Sequence, residues 1–332
     1  MFLLFFGFRG YIGSDWFNYN LKYESTLWNV WTADDYEIGF SFLMKMSKLL
    51  GLSYQSFVLG ITLIQVFLIN KLFGSYLKYV SLGYILLIAL FPIVIIDLLR
   101  NFTAILIGMF AIPYIIENKK TKAILIILLA VSFHTSSVFL FFLFFIGKKV
   151  INKRLLVVLS FLGIIVYLLE FNFYKDFLEM IGSAVGGRIE HLLNQGADDT
   201  EKAYGITWGI LEKIVLLGFI IIYYNRVIKY NAFLVNSCII YLLVYLYFST
   251  SQSFINRFSN LFLLGYIYMY TNVVLSVAAN NSRFWIRYIL LFCFMRTGLS
   301  YNNELYTYSN NILSDDNVNT RFLAREQYYK NR

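Results

Sequence analysis

Charge is scarce in this sequence. Asp, Glu, Lys and Arg make up only 14% of its 332 residues, against 59% hydrophobic residues, whereas a soluble domain carries about 25% charge. A water-soluble enzyme is thereby excluded and a polytopic membrane protein implied. Cysteine and proline occur only twice each. Cys238 and Cys293 lie inside apolar runs, so neither a disulfide framework nor a thiolate metal site is supported. No Pro- or Ser-rich linker divides the chain, so residues 1–332 read as a single integral membrane domain. Walker A, dinucleotide-binding GxGxxG, HExxH and GxSxG patterns are missing as well. Nucleotide-driven chemistry is not expected, nor is a cofactor or a metal, and the energy for any reaction has to come from an activated substrate already in the membrane. Acidic residues are outnumbered 19 to 28, for a net charge of +9. The basic residues sit in short loops between apolar runs, which is the positive-inside pattern and not a nucleic-acid surface.

What the chain has in plenty is apolar runs of about 15 to 25 residues, close to the ~20 that span ~30 Å of hydrocarbon as helix. Barrel strands would alternate with period two instead. The predicted fold class is all-α, a polytopic transmembrane helical bundle of about 8–10 spans. Candidate spans cover 54–73, 82–99, 101–116, 155–170, 207–224, 232–250, 258–276 and 285–299. The run 123–146, AILIILLAVSFHTSSVFLFFLFFI, is long enough for one tilted helix of about 36 Å. As a single span it leaves 9 of 20 loop Lys and Arg on the inside. As a re-entrant hairpin tipped at Phe133–Ser137 it leaves 13 inside and 7 outside, and the hairpin is the prediction. External segments 9–36 and 171–206, the turns near 97–101 and 251–257, and the polar C-terminal tail 300–332 then face outward. Residues 37–51, EIGFSFLMKMSKLLG, are too short and too charged to span and are predicted as an interfacial helix. The opening MFLLFFGF supplies only about 12 Å of helix and lacks the charged start and cleavage site of a signal peptide. It reads as the remnant of a longer first helix.

Ionisable groups at membrane depth are expensive and tend to face a cavity or a ligand, so they are the informative residues here. Arg9 and Asp15 lie in FRGYIGSDWFNYN, Glu37 in YEIGF, Arg100 in DLLRNFTA, His134 in SFHTSS and Arg257 in FINRFSN. Each also has a structural explanation. Arg100 can pair with Asp97 at a helix end, Arg9 and Arg257 can snorkel, Asp15 can cap a loop with Ser14, and His134 can be a satisfied buried histidine. Three arginines facing one mouth suit a phosphate or pyrophosphate, because the guanidinium fork binds phosphate oxygens bidentately and stays charged. A neighbouring histidine or carboxylate can take the proton of an attacking hydroxyl. Tyr11, Trp16, Tyr19, Tyr23, Trp28, Trp31 and Tyr36 near the same mouth fit either sugar stacking or an interfacial aromatic belt.

These pieces, in order, resemble the EpsG-type branch of the Wzy polysaccharide polymerases. FRGYIGSDWFNY is similar to the family's R-G-x-x-G-x-D-x-x-x-Y pattern, EIGF to E-x-G-F, RNFTA to R-x-x-x-A, FHTSS to F-H-x-S-[AS] and RF at 257–258 to R-[FY]. The resemblance implies a membrane glycosyltransferase at the outer face of the bacterial cytoplasmic membrane. Such an enzyme moves a growing O-antigen, capsule or exopolysaccharide chain from undecaprenyl pyrophosphate onto a lipid-linked repeat unit. It implies substrate-binding roles for Arg9, Arg100, Arg257 and Tyr19 and catalytic roles for Asp15, His134 and Glu37. Neither nucleotide sugar nor metal is called for. The implied partners are the undecaprenyl-pyrophosphate-linked oligosaccharide and the chain-length regulator and flippase of the same pathway. Two other classes compete: a lipid-linked oligosaccharide flippase, which is usually longer and internally doubled, and a membrane O-acyltransferase, for which His134 would lie at the inner face.

Overall fold

Backbone groups in hydrocarbon must find their hydrogen bonds within their own segment, and the apolar runs of this chain do so as helices. The computed structural model describes residues 2–32, 35–171, 207–249, 255, 258–277, 281–301, 304–310 and 318–330, and among them no strand forms. The external segment expected at 171–206 lies, but for Phe171, outside the described residues, as does Arg257. The chain folds as two compact units, Met1–Phe141 with Asn280–Arg332, and Phe142–Ala279.

In the first unit, α1 (Trp16–Ser25) and α2 (Ile38–Leu49) pack on α3 (Tyr54–Tyr76) and on the start of α6 (Leu99–Met109). Their shared core holds Tyr19, Tyr23, Phe40, Met44, Phe57 and Leu99, each such ring or aliphatic side chain contributing about 1.5–3 kcal/mol by burial. Tyr23 stacks on Phe57 at 5.2 Å and its hydroxyl donates to the Leu52 carbonyl at 2.8 Å. The helix expected over 37–51 is present as α2. The expected span 82–99 is divided into α4 (Val80–Leu90) and α5 (Pro92–Ile96). Pro92 lacks the N–H that would continue α4 and instead opens a new helix.

After α6, α7 (Ile112–Ile116) and a turn through Asn118 at φ 60° lead into α8 (Lys120–Phe133). α8 ends at His134, whose backbone is extended (φ −156°, ψ 124°), and a 3₁₀ segment Thr135–Phe145 follows. At 1.5 and 2.0 Å per residue the two pieces are about 21 and 22 Å long, each short of a full crossing. Ser137, Leu140 and Leu143, one 3₁₀ turn apart, are all buried. Leu140 fills the space that a Cβ on Gly108 of α6 would take.

The second unit contains α9 (Lys153–Leu168), α10 (Trp208–Ile222), α11 (Ala232–Tyr247) and α12 (Ser259–Val277). Side chains of Asn152, Thr207 and Asn231 cap α9, α10 and α11 and so fix where each begins. Gly265 of α12 lies against the backbone of α11 at Leu234 and Cys238, and Gly163 of α9 against Leu246 and Tyr247, the close approach that small residues allow between membrane helices.

Among the described residues, Tyr54–Tyr76, Leu99–Ile116 and Ser259–Val277 are long and apolar enough to cross a membrane. They coincide with three of the expected spans. The other five fall on shorter helices, or on α13 (Ser282–Tyr301), which is 20 residues long but carries Arg283, Arg287 and Arg296. Within the first unit, the C-terminal tail docks on the N-terminal loop and α1. Gly10 N donates to Ser309 O (2.9 Å) and Gly13 N to Leu305 O (2.8 Å). Phe322 of α14 (Val318–Lys330) stacks on Phe17 at 4.9 Å, and Arg325 donates to Ser14 O at 3.3 Å.

Candidate active site

The loop Arg9–Asp15 and the α5–α6 junction hold each other from both sides. The Arg9 guanidinium, 5% exposed, donates to the carbonyls of Ile95 (3.4 Å), Ile96 (3.3 Å) and Phe6 (3.3 Å), where α5 leaves carbonyls without helical partners. In return the buried Asp97 carboxylate accepts from the amides of Ser14 (2.7 Å) and Asp15 (3.3 Å) and from the Tyr306 hydroxyl of the tail. Gly13 serves this clamp twice. Its φ is +93°, and Asp97 Oδ1 occupies the position of any Cβ it could carry. Asp97, whose pairing with Arg100 was one explanation open from the sequence, is committed to the loop instead. The pairing of Asp15 with Ser14 is present, with Ser14 Oγ donating to Asp15 Oδ1 at 3.4 Å.

Three residues after Asp97, on the first turn of α6, Arg100 donates from Nη1 to Glu37 Oε2 at 2.5 Å and from Nε to the Tyr19 hydroxyl at 3.5 Å. Its guanidinium lies 3.9 Å from the centre of the Tyr36 ring, a cation–π arrangement. Glu37 Oε1 accepts from the Thr135 amide (3.0 Å) and hydroxyl (3.1 Å). The E-x-G-F piece is thereby explained residue by residue. Glu37 joins α6 to the break after α8, Gly39 lets α2 approach Ser132 and Phe133 at the end of α8, and Phe40 enters the core. His134 sits at that break, and its Nδ1 is 2.7 Å from Ser136 Oγ.

Arg100 and Glu37 keep 21% and 19% of their side-chain surface exposed, so the pair is half-open. Burial pushes the Glu37 carboxyl up, but the Arg100 charge and the Thr135 amide outweigh it and hold Glu37 below the ordinary range. Burial pushes the Tyr19 phenol up to about 12, so at neutral pH Tyr19 presents a hydroxyl and not a phenolate. Asp15 acts electrostatically on both Tyr19 and Tyr36, and His134 on Glu37.

Of the residues singled out from the sequence, Arg100 contacts both Glu37 and Tyr19, while His134 acts electrostatically on Glu37 and Asp15 on Tyr19. Arg9 lies behind, with its donors on backbone carbonyls. Thr135, Tyr36, Asp97 and Tyr306 belong to the same constellation and were not anticipated in these roles. Spacing carried a signal for Thr135, which follows His134 directly. None existed for Tyr306, which arrives from 209 residues beyond Asp97.

Fold and constellation together define an all-helical, multi-pass membrane protein with a half-open arginine–carboxylate site at helix ends. The chain belongs to the EpsG family, whose model matches residues 1–310. It is accordingly a polysaccharide-polymerase-type membrane protein of glycosyltransferase-like character. No curated protein and no solved structure matches it.

Proposed function

We propose that this protein polymerises glycan by transfer from undecaprenyl pyrophosphate onto a lipid-linked repeat unit, at the outer face of the bacterial cytoplasmic membrane. One observation carries the reading. Arg100 uses two of its five N–H donors on Glu37 and Tyr19 and has three without a partner among the described residues, on a side chain that remains one-fifth exposed. Such a group can take phosphate oxygens bidentately while Glu37 and Tyr36 hold its plane.

In the proposed step an acceptor hydroxyl oxygen attacks the anomeric carbon of the donor glycan. The new glycosidic C–O bond forms as the bond to the pyrophosphate oxygen breaks, and the leaving oxygen keeps the electron pair. Arg100 carries that developing charge. The hydroxyl proton passes to His134 or Asp15. Arg9 orients the α5–α6 junction that bears Arg100, and Arg257 is assigned to the same pyrophosphate by its motif alone. The chain-length regulator and flippase of the same pathway are the partners proposed with it.

The same reading takes 123–146 as a re-entrant hairpin with His134 at its tip. Support comes from two contacts at different depths along α6. Thr135 reaches Arg100 through Glu37, and Leu140 reaches Gly108 about 12 Å further on, so after the break the chain descends in the direction of α6. Gel analysis of surface polysaccharide tests the chemistry. Arg100→Ala and His134→Ala should leave single-repeat caps at normal protein level, and normal long chains from both would refute the assignment. Single cysteines at positions 135 and 15 should label from the outside; labelling from the inside alone would remove the outward site.

A further inference from the structure

Polar side chains buried away from water are nearly always hydrogen-bonded, which makes those without partners informative. Asn101 is 2% exposed, and neither its Nδ2 nor its Oδ1 has a partner among the described residues. Ser137 is fully buried and its Oγ likewise has none. Asn101 follows Arg100 directly, and Ser137 is the second residue after the Glu37-bound Thr135.

Register sets the two on facing stripes. Gly108, against which Leu140 packs, is seven residues beyond Asn101, so both lie within about 20° of one α6 stripe. Leu140 is three residues beyond Ser137, so both lie on one stripe of a 3₁₀ helix. Gln65 meets α6 from elsewhere, at Leu99 and Thr103, positions roughly opposite Asn101 around the helix. The stripe bearing Asn101 is thus turned toward the stripe bearing Ser137, one residue beyond Arg100 on α6 and two beyond Thr135 on the 3₁₀ segment.

We infer that Asn101 and Ser137 form a neutral subsite that takes hydroxyl or acetamido groups of a sugar beside the Arg100 position. An amide and a hydroxyl together offer three donors and three or more acceptors with no charge, which fits the ring substituents of a glycan and not a phosphate, while the guanidinium next door takes the anion. The inference rests on the polymerase reading and adds to it the place where the sugar is held.

The test turns on an opposition between stability and activity. If these groups serve only a ligand, then Asn101→Leu and Ser137→Ala relieve buried unpaired polarity and leave the thermal midpoint of the purified, detergent-solubilised protein unchanged or raised. Polymerisation is then assayed in membranes with lipid-linked repeat units extracted from cells that lack this polymerase. The half-saturating repeat concentration should rise about two- to tenfold per variant, one hydrogen bond's worth, with the maximal rate little changed. Unchanged saturation, or a midpoint lowered in both variants, overturns the inference, the latter because it means the groups have partners within the fold. Arg100→Ala runs alongside. If it abolishes polymer while the two variants behave as wild type, the subsite alone is refuted; if Arg100→Ala is itself normal, the reading beneath it is refuted.

Discussion

Two acid–base pairs, one in each unit, show how differently burial treats the same chemistry. Lys213 and Glu212 on α10 keep only 9% and 1% of their side-chain surface. Glu212 Oε1 accepts from the Tyr266 hydroxyl at 2.5 Å and from the Tyr270 hydroxyl. Lys213 donates to Gly209 O at 3.2 Å and lies 4.1 Å from the centre of the Tyr245 ring. Both carboxylate oxygens and the ammonium find partners on α10, α11 and α12 with almost no surface left exposed, so the cluster is sealed. Arg100–Glu37 is built from similar parts, with tyrosines around it, but it stands half-open with guanidinium donors to spare. A charge closed in by its own protein pins helices together, whereas one left partly unanswered at a helix end is available to a ligand.

The largest effect is expected at the sealed pair. Lys213→Met leaves a buried carboxylate without its cation and should cost about 3–5 kcal/mol of stability, as breaking one side of a buried ion pair does. The double change Glu212→Gln with Lys213→Met removes both charges, keeps an acceptor for the tyrosines, and should restore most of the loss. Thermal unfolding in detergent decides it, and a single variant as stable as wild type would end the contrast between the pairs. Next comes Arg100. Arg100→Ala should lower polymerisation about 10²–10³-fold, the usual loss for one group that stabilises transition-state charge, while the midpoint moves far less than in Lys213→Met. Arg100→Lys should fall nearly as far, because a point charge cannot reproduce the bidentate fork.

Unequal legibility in the sequence follows from the same contrast. Arg100, Glu37 and His134 stood out as ionisable groups that interrupt or border apolar runs, and Tyr19 as an aromatic of the external segment that ends the R-G-x-x-G-x-D-x-x-x-Y pattern. Glu212–Lys213 also interrupts a run, WGILEKIVLLGF, yet it was not singled out within the expected span 207–224. The tyrosines that answer them lie 54 and 58 residues away. Pairing with Asp97 was one of two explanations that proximity along the chain left open for Arg100, and it lost because Gly13, with its positive φ and missing Cβ, made the loop amides the better-placed donors for Asp97. The division of span 82–99 was written in Pro92 and passed over because the hydropathy is continuous across it. Docking of residues 304–310 onto the loop had no local trace, since a backbone ladder such as Gly10 N to Ser309 O is indifferent to side-chain type.

Gly13→Ala probes what holds the open pair in place without touching it. An L-residue at φ +93° costs about 1–2 kcal/mol, and the new methyl group also displaces Asp97 Oδ1. The expected result is a moderate fall in midpoint, with polymer chains shortened because Asp15 and Arg100 lose their common frame. Asp97→Ala should shorten chains similarly, and long chains from both would detach the clamp from the activity.

The smallest effect comes from a third ionic cluster that lies between the two extremes. Asp35 bridges Lys22 (3.2 Å) and the buried Lys45 (3.0 Å), and Lys45 lies 4.7 Å from the centre of the Trp31 ring. Burial pushes the Asp35 carboxyl up, but the Thr32 amide, Lys45 and Lys22 prevail and hold it at about 2, against an ordinary 3.8. A depressed carboxyl stabilises the folded loop fully above its unfolded value, and that contribution is lost as the pH falls through its folded one. The loop joining α1 to α2 should therefore loosen as the pH falls from about 4 toward 2, with little change above pH 5. Fluorescence of Trp31, in a variant whose other tryptophans are phenylalanine, reads the change, and Asp35→Asn should abolish its pH dependence. The amplitude should shrink in high salt, because the Lys22 arm of the cluster, one-fifth exposed, is screened, whereas the midpoint difference between wild type and Lys213→Met should not. A salt response at Lys213 equal to that at Asp35 would mean that the sealed cluster is open after all.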